Sequence, residues 1–467
     1  MSAHADIHFG TDGWRAVIAE DFTYDNLRRV ADAAGRVFAA DNPGGTVIVG
    51  HDTRFEAPAF ARAVAEVIAT HGLTVKLTDR YLPTPALCWS VAQDPQAIGG
   101  VMLTASHNPA PYLGFKLRMA DGGASPVEFS DRVEQALRPD PPTARGTFET
   151  VDLVTPYLAT LRAAVDAPAI AKANLKVAID PLYGAGRIYL AELLRDLGVT
   201  VTEIHNHANP SFGGLHPEPI PPHIDKVRDL VRTEQLDAAF ITDGDADRIG
   251  AADTHGDFVN PHRIICLLAR HLVENKGAKG RIVKTLSTSV LVDRLATHLG
   301  VEVTTTPVGF KWIYEEMLKG DVLIGGEESG GIGIPTHVRE RDGLLMALLL
   351  TEMMAQSGKG LAELVQDLLA VTGPMEYLRS DLKLDQQTKD AFLAAIPQME
   401  PTEVAGIAVR SITRADGIKF LLADDAWLLL RPSGTEPLVR VYAEAPTMGV
   451  VDDLLAAGRA LVQRQGA

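Results

Sequence analysis

Three aspartates alternate with small residues in Asp243-Gly-Asp245-Ala-Asp247-Arg248, directly behind an apolar run that ends at Thr242. Carboxylates this close repel one another unless a hard cation accepts their oxygens. A calcium-binding EF-hand loop also begins with three alternating acids, but it needs glycine at its sixth position and a carboxylate at its twelfth. Those places hold Arg248 and Thr254, and a strand rather than a helix precedes them, so that reading fails. Three protein oxygens leave room for a phosphate ligand, which is the usual arrangement around Mg²⁺.

Ser106 follows another apolar run, in Thr104-Ala-Ser106-His107-Asn108-Pro109. Neighbouring Ser and His in an extended loop point apart and make no hydrolase triad, and no G-x-S-x-G elbow surrounds them. The turn at Asn108-Pro109 exposes the hydroxyl, and beside a carboxylate-bound metal a serine can carry a phosphoryl group. Near the far end, Arg431-Pro-Ser433-Gly434-Thr435 combines a guanidinium, two hydroxyls and backbone N–H groups, a set that matches the oxygens of a phosphate. Arg440, in the strand that follows, adds charge. Glu327 and Ser329 lie among glycines in Gly326-Glu-Glu-Ser-Gly-Gly331 and suit vicinal sugar hydroxyls.

The elements that must position these residues form a pattern repeated three times: a β-branched strand, a turn, an amphipathic helix, a Gly-led second strand and a third strand. It runs through Thr46–Gly50, Gly72–Leu77 and Ile98–Leu103, then Leu175–Asp180, Gly198–Ile204 and Asp237–Thr242, then Arg281–Leu286, Gly300–Thr305 and Asp321–Gly325. Such alternation predicts βαβ units and mixed, mostly parallel sheets. Each third strand ends at one of the polar loops. Ligands of open α/β sheets bind outside the carboxyl ends of strands, so the loops are expected to share one central cleft. Breaks at the Pro-rich stretch 138–146, near 257–262 and near 372–374 give expected domains at 1–146, 147–258, 259–372 and 373–467. The last lacks the triple-strand pattern. Strands at Ala426–Leu430 and Leu438–Ala443 and a helix near Val450–Val462 predict a smaller α+β domain.

A chain of 467 residues fits three or four domains of about 100–200 residues each. Its Lys+Arg count of 44 against 60 Asp+Glu gives a net charge of −16. That balance repels phosphate backbones and anionic lipid, so neither nucleic acid nor a membrane is an expected partner. Two cysteines, Cys88 and Cys266, are too few for a disulfide framework or a thiolate metal site. The start of the chain has no basic or apolar leader, and the longest apolar run, Leu344–Leu350, is far short of a membrane span. A cytoplasmic protein is expected.

Five segments in order, Phe9-Gly-Thr-Asp-Gly-Trp-Arg15, Thr104–Pro109, Asp243–Arg248, Gly326–Gly331 and Arg431–Pro437, resemble the signatures of the α-D-phosphohexomutase superfamily, phosphoglucomutase/phosphomannomutase type. The resemblance implies three similar α/β domains and a smaller α+β domain around one cleft. It implies a phosphoryl group on Ser106, with Asp243, Asp245, Asp247 and the phosphoserine holding Mg²⁺. Lys116 would be the general acid/base, with His107 a second candidate. Arg15 and Arg248 would stabilise charge near the transferring group. Glu327 and Ser329 would hold sugar hydroxyls, and Arg431 to Thr435 the non-reacting phosphate. The implied reaction interconverts hexose 1- and 6-phosphates through a bisphosphate such as glucose 1,6-bisphosphate.

A metal-dependent sugar phosphatase could use the same aspartates and phosphate loop without needing a sugar-orienting loop. A non-catalytic sensor would be expected to lose Ser106, an aspartate or Lys116. For the sugar, Glu328 and Gly331 stand where phosphomannomutase-type relatives of dual specificity usually carry Met and His. The stretch Pro307-Val-Gly-Phe-Lys311-Trp312 has the Phe-Lys of phosphoglucomutases. The expectation is therefore phosphoglucomutase, ahead of phosphomannomutase or dual specificity, with phosphoglucosamine mutase behind.

Overall fold

Thr46–His51 is short, rich in β-branched residues and buried along its whole length, as befits a strand covered on both faces. In the structure, a computed structural model that describes residues 7–10, 12–433 and 437–464, this strand is central to the first sheet. It pairs in parallel with Thr74–Thr78 on one side and Ala97–Leu103 on the other. The chain then turns and returns antiparallel as Tyr112–Met119, with Trp14–Val17 outside it.

The same plan recurs twice. Lys176–Asp180 lies between Thr200–Glu203 and Ala238–Thr242, both parallel to it, and Ile249–Asp253 returns antiparallel. Arg281–Thr285 lies between Val303–Thr306 and Val322–Gly326, again both parallel, and Ile332–Gly333 returns. Each predicted polar loop is thus the turn between a third strand and its antiparallel return. Three α/β units place their chemistry at one topological position.

The expected boundary at 146 requires correction. Glu149–Val151 pairs in parallel with Thr74–Thr78 and completes the first sheet. The Pro-rich stretch before it is held to the first unit by a hydrogen bond from Gly146 N–H to the Glu66 carbonyl. It is a connection within that unit rather than a linker. Phe258–Val259 closes the second sheet one residue beyond the expected 258.

One core joins the units. Ile48 and Met102 of the first sheet, Ile179 and Phe240 of the second, and Ile282 and Ile324 of the third belong to a single buried cluster. The helix Gly343–Ser357 contributes to it and is buried without interruption from Gly343 to Met354. A helix apolar nearly all round belongs in a protein interior, which accounts for the run Leu344–Leu350. No helix among the described residues is long and apolar enough to cross a membrane.

The C-terminal unit is an antiparallel sheet ordered Glu376–Lys383, Leu438–Ala445, Trp427–Pro432, Ile418–Leu422, Ile407–Thr413, Glu403–Val404. Period-two alternation divides its faces. Leu428, Leu430 and Val441 pack with Phe392 and Leu454 of the helices Gln386–Ala395 and Met448–Gln463. Trp427, Leu429 and Tyr442 face Val290 of the third unit.

Candidate active site

The serine and aspartate loops meet backbone to backbone. A Cβ on Gly244 would lie 2.4 Å from the Ser106 carbonyl oxygen, so only glycine permits this approach. Ser106 has φ of 51°, a left-handed conformation that is strained for serine. Arg54, wholly buried, holds it there by donating to the carbonyls of Ser106, Asn108, Pro109 and Tyr112. Thr104 Oγ1 accepts from the Ser106 N–H at 2.9 Å. Ser106 is buried rather than exposed by its turn as expected, and its hydroxyl is thereby aimed at the second unit and donates to Asp243 Oδ2 at 2.9 Å.

Asp243, Asp245 and Asp247 are fully buried, and one oxygen from each lies within 4.8 Å of the others. Asp243 Oδ1 accepts from the backbone N–H groups of Asp247 and Arg248, which fixes the loop. Asp245 Oδ2 accepts from Thr84 Oγ1 at 2.7 Å and Lys116 Nζ at 3.0 Å. Asp245 Oδ1 and Asp247 Oδ1 are buried and accept no hydrogen bond. Burial, then the charges of Asp245 and Asp247, push the Asp243 carboxyl well above its ordinary value. Burial raises Asp247 too. At Asp245, burial is outweighed by Lys116, Thr84 and Arg341, which hold its carboxyl low. Undonated carboxylate oxygens and mutual repulsion are what a shared divalent cation would relieve, so the donor set fits a hard ion.

Lys116 is wholly buried, 2.9 Å from Asp12 and 3.8 Å from Asp247 as well as bonded to Asp245. Burial would lower its pKa, but Asp12, Asp245 and Asp247 outweigh that and hold the ammonium above its ordinary value. Arg15 Nη1 donates to Asn108 Oδ1 at 2.6 Å, beside the serine. Arg248 lies 3.9 Å from Asp247, 4.0 Å from Asp243 and 3.5 Å from Glu218. His107 has a buried Nδ1 without a hydrogen-bond partner, and burial, Arg248 and Arg15 push its pKa well below the usual histidine value. It is neutral at neutral pH.

The glutamate loop abuts the aspartate loop through the Ile249 N–H, which donates to the Gly330 carbonyl. Gly330 has φ of 92°, and a Cβ there would meet the Ile249 oxygen at 2.5 Å. Glu327 is buried, and burial followed by the charge of Glu328 raises its carboxyl to about 7. Ser329 is half-buried on the same loop. Glu328 turns to the neighbouring strand end, accepting from Ser287 Oγ at 2.5 Å and Thr285 Oγ1 at 3.4 Å. Lys311 lies in the first turn of the helix Phe310–Leu318, its ammonium 4.6 Å from the centre of the Trp312 ring.

In the C-terminal unit, Arg431 and Arg440 face each other across the antiparallel ladder. Arg431 Nε donates to Asp416 Oδ2 at 2.8 Å. Ser433 is buried, and its N–H donates to the Leu438 carbonyl at 2.9 Å. Gly434 and Thr435 lie outside the described residues.

Sequence reasoning missed Asp52 and Arg54, just past the end of the first unit's central strand, because a lone acid or base after a strand reads the same as a solvated turn. Burial pushes Asp52 up to about 6 against the pull of Arg54. It also missed Asp12, Arg118, Glu340 and Arg341, a buried network of ion pairs. Arg341 Nη2 reaches Asp247 Oδ2 at 2.7 Å. Its signal is the charged run Arg339-Glu-Arg-Asp342 immediately before the most apolar helix of the chain.

With the site assembled, known proteins supply its context. Residues 6–141, 155–256 and 260–371 match the phosphoglucomutase/phosphomannomutase alpha/beta/alpha domains I, II and III, and residues 385–460 match the C-terminal domain. The chain is 31% identical to a phosphoglucomutase/phosphomannomutase of Thermococcus kodakarensis, over 97% of this chain and 98% of that one. It is 32% identical to a phosphoglucosamine mutase of Frankia casuarinae, over 98% and 97%. A crystal structure from Thermus thermophilus, provisionally assigned as a phosphomannomutase, superposes with a TM-score of 0.89 at 42% identity, covering 99% of this chain and 100% of that one. A serine facing three buried carboxylates, repeated α/β units that deliver them, and four domain matches in order agree: the chain belongs to the phosphoglucomutase/phosphomannomutase family of phosphohexomutases, which are isomerases.

Proposed function

We propose that this protein interconverts hexose 1-phosphates and hexose 6-phosphates through a phosphoserine at Ser106 and a sugar 1,6-bisphosphate, with glucose as the preferred sugar. The observation that carries the reading is the Ser106 hydroxyl, buried and bonded to one of three clustered carboxylates, with Lys116 bonded to another. Asp243, Asp245 and Asp247, with an oxygen of phosphorylated Ser106, would hold Mg²⁺, which supplies charge neutralisation for phosphoryl transfer. Lys116 handles the proton of the reacting hydroxyl. Its ammonium suits protonation of the sugar oxygen as a phosphoryl group returns to Ser106. His107, neutral and close by, is the second candidate for that proton. Arg15 and Arg248 offset charge on the transferring group. Glu327, Ser329 and Lys311 orient the sugar, while Arg431, Ser433, Gly434, Thr435 and Arg440 take the non-reacting phosphate. A buried serine also keeps water from the phosphoserine. Two free, buried cysteines suit a reducing cytoplasm, where small sugar phosphates would be the partners and glucose 1,6-bisphosphate the intermediate and activator.

Support for glucose comes from Glu328 and Gly331, which stand where dual-specificity relatives usually carry Met and His; Glu328 here accepts from Ser287 and Thr285. Glucose and mannose differ only in the C2 hydroxyl, so one satisfied contact decides a preference of roughly ten- to a hundredfold. The test is kcat/KM for glucose, mannose and glucosamine 1-phosphates side by side, before and after exhaustive chelation. Glucose should lead, and activity should vanish with EDTA and return with Mg²⁺. Equal or better kcat/KM with mannose would remove the sugar assignment and leave the mutase. Release of inorganic phosphate without isomerisation would favour the phosphatase reading.

A further inference from the structure

Asp416 is not among the residues that the loop chemistry singles out, yet it bonds to one of them, Arg431. It lies in the tight turn between Ile407–Thr413 and Ile418–Leu422. The next residue, Gly417, has φ of 80°, and a Cβ there would lie 2.3 Å from the Leu430 carbonyl oxygen. Glycine alone lets the turn settle against the neighbouring strand, and that contact sets Asp416 beside Arg431.

A single carboxylate oxygen, Oδ2, then accepts two hydrogen bonds, from Arg431 Nε at 2.8 Å and from the Val308 N–H at 3.0 Å. The first donor opens the phosphate loop. The second lies in the turn that leads into the helix Phe310–Leu318, which carries Lys311. The pair is not a solvated surface contact, since the Arg431 and Asp416 side chains are only 18% and 23% exposed. A planar guanidinium anchored at Nε loses most of its rotational freedom, so its remaining donors present a fixed edge.

We infer that Asp416 is a positioning residue for substrate: it orients the Arg431 guanidinium, and the Val308 N–H holds its carboxylate in place to do so. The inference rests on the reading that Arg431 holds the non-reacting phosphate. Without the carboxylate, Arg431 remains but must be ordered by each phosphate that binds. That penalty falls on ground and transition states alike, so it enters KM rather than kcat.

The experiment is a double-mutant cycle of Asp416→Asn and Arg431→Ala. It uses whichever of the three sugar phosphates turns over fastest, with thermal unfolding of every variant. R431A should raise KM roughly tenfold or more, and D416N about three- to tenfold with kcat within about twofold. The double variant should match R431A within about twofold, because Asp416 acts through Arg431. D416N is isosteric, so its unfolding midpoint should stay at the wild-type value. If it does not, Asp416→Glu repeats the cycle, since its displaced carboxylate keeps the charge but cannot bridge both donors. A wild-type KM in D416N, or a D416N effect of equal size with and without Arg431, would overturn the inference while leaving the phosphate loop standing. An unchanged KM in R431A would overturn the phosphate-loop reading, and the inference with it.

Discussion

Ser106 is the residue on which the chemistry turns, and its environment states what replacing it should do. Its hydroxyl makes one bond to Asp243, while the backbone contacts that shape the loop belong to Arg54 and Thr104. Ser106→Ala should therefore abolish turnover and leave the unfolding midpoint within a few degrees. Intact mass should show one phosphate on the active native protein and none on the variant; appreciable turnover by the variant would sink the covalent route. Glu327 gives a pH prediction. Its carboxyl is raised in the fold from an ordinary 4.5 to about 7. The native state then binds the extra proton between those values, so stability falls as pH rises through that window and the loss is complete above it. Glu327→Gln lacks this penalty. Its unfolding midpoint relative to wild type should rise from about pH 5 to about pH 8; a difference that stays flat would show that Glu327 does not titrate there. The signatures legible in the sequence at this scale were those with unusual spacing. Arg54 and Arg341 were not legible, because an isolated arginine looks the same whether it is solvated or wholly buried.

At the scale of elements, the three-fold pattern was readable because β-branched strands and Gly-led second strands recur at similar spacing. The structure keeps all nine of those strands, their ends shifted by up to three residues. What the threefold pattern did not supply was the antiparallel return strand after each loop. Tyr112–Met119 carries a strand's alternation, Leu113, Phe115, Leu117 and Met119 against Gly114, Lys116 and Arg118, while Ile332–Gly333 is only two residues long and has no period to read. Those returns convert three polar segments into tight turns that touch. Gly244 tests this geometry directly. An added methyl group would stand 2.4 Å from the Ser106 oxygen, and a backbone atom cannot give way without moving the loop. Gly244→Ala should separate the serine from the aspartates by a fraction of an ångström to about an ångström and lower kcat about a hundredfold. Far-UV circular dichroism should not change. Wild-type kcat in this variant would mean that the two loops do not need this contact to react.

At the scale of the whole molecule, buried charge adds to the shared apolar core in tying the units together around the aspartates. Arg118 of the first unit is wholly buried between Asp12 of its own unit and Glu340 of the third. Arg341 of the third reaches Asp12 of the first and Asp247 of the second. Buried ion pairs of this kind add little net stability when intact, but removing one partner leaves unpaired charge and costs about 3–5 kcal/mol. Arg341→Met should therefore lower the unfolding free energy, extrapolated from denaturant titration, by an amount in that range. The direction of the imbalance makes a sharper prediction. Without Arg341, Asp247 keeps only Lys116 at 3.8 Å and Arg248 at 3.9 Å to offset its charge, inside a cluster that already repels itself. A divalent cation bound by the aspartates would replace the missing positive charge, and any ligand that binds only the folded state stabilises it by an amount that grows with the logarithm of its affinity. Saturating Mg²⁺ should consequently raise the unfolding midpoint of Arg341→Met by more than it raises that of the wild type, while Asp243→Asn should gain less than either. Equal Mg²⁺-induced shifts in Arg341→Met and wild type would show that Arg341 and the cation do not share Asp247, and that the join between the units is energetically separate from the metal site.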